Sequence, residues 1–332
     1  MVITRVSKAI SLVAVVCLVA NSLGQDDRAQ KYLLRSMNGE YRTNIIVVMR
    51  QKSSESGTMI VKIQKSTDGK TRETNLSPLH LQREFLNDGK TIQVYLPDDK
   101  TMIVQPSPST SQDVNFRMPL IQKNYVLKSE SGKKVAGRTT VMVTATARSS
   151  QVPSIRYYFD EKTGFPLCKE ILVGGDQPSE EYEVLDIKFP AKIDKSVFKI
   201  EPAVGFETIT YGEPVRLNSA REAEQELGFT PIIPSQIPFG FQIQRMTLSK
   251  NSNWKSLYLK LTDGLQNATV HEWVHMAGEK IKTGENKILK VHNGLSIVIV
   301  SDIENLIPNA LMRIFLVRND RDNPAVLTSI GF

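Results

Sequence analysis

One short stretch of the sequence has the residue types and spacing of a metal site: His271, Glu272 and His275 fit the pattern H-E-x-x-H. In a zinc protease this pattern lies on a helix, where both histidines share one face and the glutamate activates the metal-bound water. The chemistry would be metal-assisted peptide hydrolysis, on condition that the segment is helical. The candidates for a third ligand are Glu279, Glu285 and Glu304.

The residues around this motif favour a strand. Residues 267–276 are rich in valine and threonine, follow an Asp-Gly turn, and lie opposite the alternating run 256–261. On a strand, His271 and His275 point to one face and Glu272 points to the other. We therefore expect no metal site here. A zinc protease is the third interpretation of the function, after the two given below.

No other part of the sequence has a pattern of catalytic residues. The sequence lacks a G-x-S-x-G nucleophile elbow, a G-x-x-x-x-G-K-[ST] phosphate loop and a G-x-G-x-x-G dinucleotide motif. His80 and His292 are isolated. We expect a protein that is not an enzyme and that uses neither a cofactor nor a metal.

The N-terminus has the features of a secretory signal peptide. Arg5 and Lys8 precede an apolar run over residues 9–20, and small residues follow at Ser22 and Gly24. We expect cleavage near Gly24 and a periplasmic or otherwise extracytoplasmic location. A retained anchor helix is the alternative.

The composition limits the class of protein. The 332 residues carry a net charge of +7 and include two cysteines, too few for a disulfide scaffold or a four-thiolate zinc site. No apolar run reaches the roughly 20 residues of a membrane-spanning helix, which excludes a polytopic membrane protein. Basic residues are scattered and form no stripe with aromatic residues, so nucleic acid is not an expected partner.

The length fits two domains, and the sequence pattern changes accordingly. After an amphipathic helix over residues 27–40, short alternating segments separated by Asp-Gly and Pro-Asp turns predict about ten antiparallel strands. Residues 105–112 are predicted to be a loop. Whatever element precedes Met118–Pro119 is predicted to end there. The expected fold class is α+β, mostly antiparallel β: an N-terminal half-barrel with a helical cover and a smaller α+β C-terminal domain. If the concave face is apolar and the helix does not fill it, that face would form a pocket for an apolar ligand.

Residues after about 200 predict a linker and a second domain. Ser219 and Gly228 have the types and spacing that begin and end a short helix. Five strands then follow over residues 241–300, and a helix closes the domain over residues 302–315. The expected organisation is a signal peptide (1–24), a half-barrel domain (25–200), a linker (201–215) and a C-terminal domain (216–332).

Short motifs at Leu34–Met37, Tyr95–Pro97, Lys134–Arg138 and Thr262–Leu265 occur, with others, in an order that resembles the MucB/RseB family along nearly the whole mature chain. The C-terminal part differs from the family pattern in its histidines and Trp273. The positions that carry the resemblance are Tyr125, Ala136, Gly137, Arg138, Tyr157, Pro166, Leu167, Pro238, Gly240, Phe241, Asp263 and Gly264.

The resemblance implies a fold and a function. The fold would be a half-barrel of the lipoprotein-carrier (LolA) type, open to an apolar lipid or acylated ligand and joined to a smaller domain. Family members bind the exported part of a transmembrane anti-sigma factor and protect it from proteolysis until an envelope-stress ligand releases it. The expected function is therefore an extracytoplasmic protein that senses lipid or lipoprotein and regulates an anti-sigma factor. The alternative is a periplasmic lipid or lipoprotein carrier, and no oligomeric state is predicted.

Overall fold

A computed structural model gives the structure of residues 26–39, 41, 43–53, 57–78, 83–107, 111–172, 178–250, 254–276, 278, 287–302 and 306–320. The predicted signal peptide, His80 and the three candidate third ligands lie outside these residues. Within them, no helix is both long enough and apolar enough to cross a membrane.

In the described part of the chain, twelve strands form a single large sheet. Two meanders, β1 to β6 and β7 to β11, are joined by antiparallel pairing of β1 with β11. Every neighbouring pair is antiparallel except β12, which lies parallel to β6 at one edge. The strands are β1 (Ile45–Ser53), β2 (Gly57–Lys65), β3 (Thr71–Ser77), β4 (Glu84–Asn87), β5 (Thr91–Leu96), β6 (Thr101–Pro106), β7 (Tyr125–Ser131), β8 (Thr140–Ala147), β9 (Ser154–Asp160), β10 (Pro166–Leu172), β11 (Pro178–Lys188) and β12 (Glu207–Thr210).

Two helices cover the β7–β9 end of this sheet. Helix α1 (Asp27–Asn38) matches the predicted helix and ends at Gly39, whose φ of 62° is the left-handed conformation that glycine favours. Helix α2 is Ser111–Asn124. Leu33 and Ile121 from the two helices pack on alternate residues of β8, so the period-2 burial of that strand gives the core of the domain.

The predicted end of the element at Met118–Pro119 is wrong. Helix α2 continues through Pro119 to Asn124, although proline removes a helical hydrogen bond and costs about 3 kcal/mol in a helix interior. Leu120 and Ile121 are buried directly after it, and this packing offsets the local cost.

Six antiparallel strands form a second sheet in the order β13-β14-β15-β16-β18-β17. Helices α3 (Ala220–Leu227) and α4 (Leu306–Asp320) accompany it. The α3 prediction is confirmed, since Ser219 Oγ accepts the Glu222 N–H at 3.1 Å and Gly228 has a φ of 78°. The strands are β13 (Val215–Arg216), β14 (Gln242–Lys250), β15 (Lys255–Thr262), β16 (Asn267–Val274), β17 (Lys287–His292) and β18 (Leu295–Ser301).

The two edges of the large sheet both reach the second sheet's domain. Strand β12 ends four residues before β13, a span of at most about 18 Å. Strand β7, at the opposite edge, begins at Tyr125, whose hydroxyl donates to Asp263 in the turn between β15 and β16. Laid flat, twelve strands would be about 53 Å wide, so the sheet must curve. The predicted class, α+β with mostly antiparallel β, is confirmed. We propose the domain boundary between residues 210 and 215, within the predicted linker.

Candidate functional site

The two domains meet where α2 and β7 face the turn between β15 and β16. Tyr125, the first residue of β7, is fully buried. Its hydroxyl donates to Asp263 Oδ2 at 2.6 Å and accepts from Gln266 Nε2 at 3.1 Å. The same Gln266 amide donates to the Pro153 carbonyl at 3.1 Å. One buried hydroxyl therefore connects the first domain to two side chains of the second.

The Asp263 carboxyl organises its own turn as well as the contact. Its Oδ1 accepts the backbone N–H groups of Leu265 at 3.0 Å and Gln266 at 2.8 Å. Burial raises the pKa of Asp263, against the opposing effect of these bonds and the one from Tyr125. Burial, together with the nearby Asp263 carboxyl, also raises the pKa of Tyr125, so the phenol stays protonated and remains a donor.

Backbone carbonyls of the second domain accept bonds from α2. Arg117 Nε donates to the Gly264 carbonyl at 2.7 Å. Asn124 Nδ2 donates to the Asp263 carbonyl at 2.8 Å and to the Gly240 carbonyl at 3.2 Å. The approach is close enough to require glycine, because a Cβ at Gly264 would lie 2.7 Å from the backbone nitrogen of Ile121.

Phe239 connects the two hydrophobic cores. It lies in a 3-10 turn over Pro238–Gly240 and has a φ of 61°, a conformation that is strained for a bulky side chain. It packs against the cores of both domains. Strain of this kind persists only where the surrounding structure fixes the residue. Here the residue is fixed at the boundary between the domains.

A cavity of about 450 Å³ opens beside this contact. Its lining includes Asn124, Phe239 and Asp263 from the contact itself, together with Lys123 and Arg148. Both cationic side chains are exposed and have no acidic partner among the residues that the structure describes. The cavity is therefore suited to polar groups of a partner, including carboxylates that would pair with the two cations.

The family-motif positions lie in two separate places. Tyr125, Gly240, Asp263 and Gly264 take part in the interdomain contact, and Pro238 and Phe241 flank it. The remainder lie in the first domain: Ala136 and Gly137 form a turn with positive φ, Arg138 binds Asp160, Tyr157 stacks on Phe159 with ring centroids 5.7 Å apart, and Pro166 and Leu167 begin β10.

Three residues of the contact had no signal in the sequence. Arg117 and Gln266 bind partners 147 and 141 positions away, so no local spacing marks them. Phe239 resembles any core aromatic residue, because its positive φ is not visible in the sequence. Only the resemblance drew attention to the neighbouring glycines.

His271 and Glu272 lie on β16, as predicted, and face opposite ways, while His275 follows Val274, the last residue of the strand. The His271 ring packs edge-on against Tyr258 with ring centroids 4.7 Å apart, and His275 Nδ1 lies 2.9 Å from Ser296 Oγ. Glu272 points into the core of the second domain. In the described ranges, no group of three or more His, Cys, Asp or Glu side chains could hold a metal ion. The helix that zinc-protease chemistry requires is not formed here.

A second cavity lies on the helix-covered face of the large sheet, beyond the helices. It has a volume of about 260 Å³ and a partly apolar lining that includes Met59, Val61, Phe85 and Val94. An unbroken row of paired residues connects it to the helix-covered end of the sheet: Val143, Tyr157, Lys169, Tyr182, Gln51 and Met59.

Three solved structures resemble this chain over most of its length. The crystal structure of MucB has a TM-score of 0.59 and 15% identity, and the alignment covers 88% of this chain and 97% of that chain. For the crystal structure of MucB in complex with MucA(peri), the TM-score is 0.57 and the identity 16%, and the alignment covers 87% of this chain and 97% of that chain. For the Pseudomonas aeruginosa MucA/MucB complex, the TM-score is 0.58 and the identity 15%, with the same two coverages. At this identity the likeness shows a shared fold.

The sequence comparisons give the family. No curated protein matches the chain. The family model for the MucB/RseB N-terminal domain matches residues 30–201, which is more than half of the chain and contains eleven of the twelve strands of the large sheet. The chain therefore belongs to the MucB/RseB family.

Proposed function

We propose that this chain is an extracytoplasmic, non-enzymatic protein that binds the ectodomain of a transmembrane anti-sigma factor and so regulates envelope-stress signalling. The observation that carries the proposal is the family match over residues 30–201. Support comes from the fold likeness to MucB, which extends into the second domain, and from the MucB structures that contain MucA.

Cross-linking in the native host identifies the partner. A tagged chain is cross-linked in intact cells, the membranes are solubilised, and attached proteins are identified by mass spectrometry. We expect a single-span membrane protein whose cytoplasmic part binds a sigma factor. Recovery of other envelope proteins without any anti-sigma factor would argue against the regulatory role.

The interdomain cavity is the proposed contact for an acidic segment of that ectodomain. It joins both domains, and its two exposed cations, Lys123 and Arg148, have no acidic partner in the described part of the chain. Rim charges of this kind steer a partner of opposite charge and fix its register.

Reversing both charges, Lys123→Glu with Arg148→Glu, should weaken binding of the purified ectodomain about tenfold or more. Each reversal replaces an attraction with a repulsion, and tenfold corresponds to about 1.4 kcal/mol. Calorimetric titration at low and physiological salt measures the change. The matched control is Lys195→Glu with Lys199→Glu, two exposed lysines away from the cavity with the same change in net charge. Equal weakening by both pairs would mean that only overall charge matters.

We also propose that an acyl chain binds the groove on the helix-covered sheet face and regulates the ectodomain complex. Support comes from the apolar side chains of Met59, Val61, Phe85 and Val94. The carrier alternative makes a different prediction. For a regulator, a fluorescent fatty acid that binds the chain weakens its affinity for the ectodomain. For a carrier, the fatty acid binds and the ectodomain affinity does not change.

A further inference from the structure

Glu272 is a fully buried carboxyl in an apolar core. It lies on β16, and its cross-strand neighbours Leu257 and Ile297 are also fully buried. One oxygen, Oε2, accepts the backbone N–H of Ile232 at 2.8 Å. The other, Oε1, has no hydrogen-bond partner among the residues described. A polar group left in this state is costly, and an ionised one costs more.

The hydrogen bond from Ile232 anchors the segment that leads to the interdomain contact. Residues 229–237 connect α3 to the 3-10 turn at Pro238–Gly240, and Ile232 lies between two prolines, which have no N–H of their own. Seven residues after Ile232, Phe239 packs against both cores, and the next carbonyl accepts from Asn124. A shift of residues 229–237 would therefore also shift Phe239 and Gly240 at the interdomain contact.

Among the residues that the structure describes, no charged side chain offsets the burial of Glu272. The charged side chains on its own side of the sheet are exposed: Glu224 and Glu226 on α3, Lys255 on β15, Lys290 on β17 and Arg313 on α4. Lys260 on β15 and Lys287 on β17 are half-buried, but they lie on the opposite face with His271, and the half-buried Glu222 on α3 accepts from the Asn218 N–H. Burial raises the pKa of Glu272 to about 8, and only the bond from Ile232 opposes that rise. The carboxyl is therefore mostly protonated at neutral pH and loses its proton over about one pH unit on either side of 8.

We propose that Glu272 is a protonation-sensitive tether: it holds residues 229–237 against the second sheet while protonated, and its ionisation releases this segment and loosens the interdomain contact. Ionisation strengthens the single bond from Ile232, but one N–H does not replace the hydration of a carboxylate whose Oε1 has no partner among the described residues, so the ionised group needs water. The sheet neighbours of Glu272 are fixed by ladder hydrogen bonds on both sides, so hydration requires the 229–237 segment to move. This inference goes beyond the proposed function, because it concerns the chain without a partner.

The raised pKa of Glu272 decides whether the tether gains or loses stability as the pH rises. A group whose pKa is higher in the folded state contributes stability that is present below its unfolded pKa, near 4.5, and that is lost as the pH rises through about 8. The tether should therefore be intact at pH 6.5 and released at pH 9.5.

Hydrogen exchange of the full chain tests this. After correction for intrinsic exchange, protection of peptides covering 229–241 should fall at least tenfold between pH 6.5 and pH 9.5. Peptides covering 117–125, across the contact, should follow. In Glu272→Gln, which keeps an acceptor for Ile232 and has no charge, protection should stay constant. Glu226→Gln, an exposed glutamate on α3, serves as the control and should behave like the wild type.

Two results would overturn the proposal. One is the same fall in protection in Glu272→Gln as in the wild type. The other is read in the wild-type protein and does not depend on the variant folding: a carbon-13 titration in which the Glu272 carboxyl ionises near its ordinary value of about 4.3. Ionisation near pH 8, together with the loss of protection, supports the tether.

Discussion

Replacing Gly264 with alanine should lower the free energy of unfolding by about 3 kcal/mol and separate the two domains. Gly264 has a φ of 111°, which side chains rarely adopt. The added Cβ would also lie 2.7 Å from both the backbone nitrogen and the Cγ1 atom of Ile121 in helix α2. The helix backbone cannot yield without losing the Arg117 and Asn124 bonds to the same turn. Urea denaturation measures the loss of stability, and small-angle scattering measures the separation.

The matched control for this variant is Gly205→Ala. Gly205 also has a strongly positive φ, 90°, but no atom lies within 4 Å of a Cβ placed there. This variant carries only the backbone cost, about 1 kcal/mol, and should leave the domains together. Equal losses in both variants would show that close approach of α2 is not what the glycine at position 264 permits.

Replacing Arg138 with methionine should cost about 3–5 kcal/mol, because it leaves a charge buried without its cation. Arg138 donates to Asp160 through Nε at 2.7 Å and through Nη2 at 2.9 Å, and Asp160 is only 1% exposed. Burial alone would raise the pKa of Asp160, but the bonds from Arg138 and Thr163 outweigh it and hold that pKa below its usual value.

Urea denaturation at several pH values measures this cost. A carboxyl with a lowered pKa contributes stability that is present above its unfolded pKa and is lost as the pH falls through the folded pKa. The difference between Arg138→Met and wild type should therefore be full at pH 7 and shrink below about pH 4. The control is Arg156→Met, since Glu170 would keep its 2.7 Å ion pair with Lys133. A loss as large in the control would contradict the special role of Arg138.

Local patterns were sufficient to predict most secondary structure. The caps of α3 are at the predicted residues, because capping depends on neighbours in sequence. Strand structure at residues 271–274 also follows from the β-branched residues and the preceding turn. Helix α2 could not be predicted, because buried packing after Pro119 outweighs a local helix breaker.

The interdomain contact depends on pairs far apart in sequence. The Tyr125–Asp263 bond joins residues 138 positions apart, and neither residue is unusual for its local element. The family resemblance singled out both residues, but it did not explain why these two residue types are needed there. The structure supplies one: a buried hydroxyl and carboxyl satisfy each other only when the two domains are docked. Gly264 is a similar case, because glycine is required there by the close approach of Ile121 from the other domain.

The central claim is that this chain binds an anti-sigma factor ectodomain, and an equilibrium titration tests it most directly. The purified mature chain is titrated with the ectodomain of the single-span anti-sigma factor from the same genome, at physiological salt. We predict saturable binding at a fixed stoichiometry with a Kd of about 1 μM or lower, equivalent to roughly −8 kcal/mol. No detectable binding at about 100 μM ectodomain, with both proteins folded, would contradict the account.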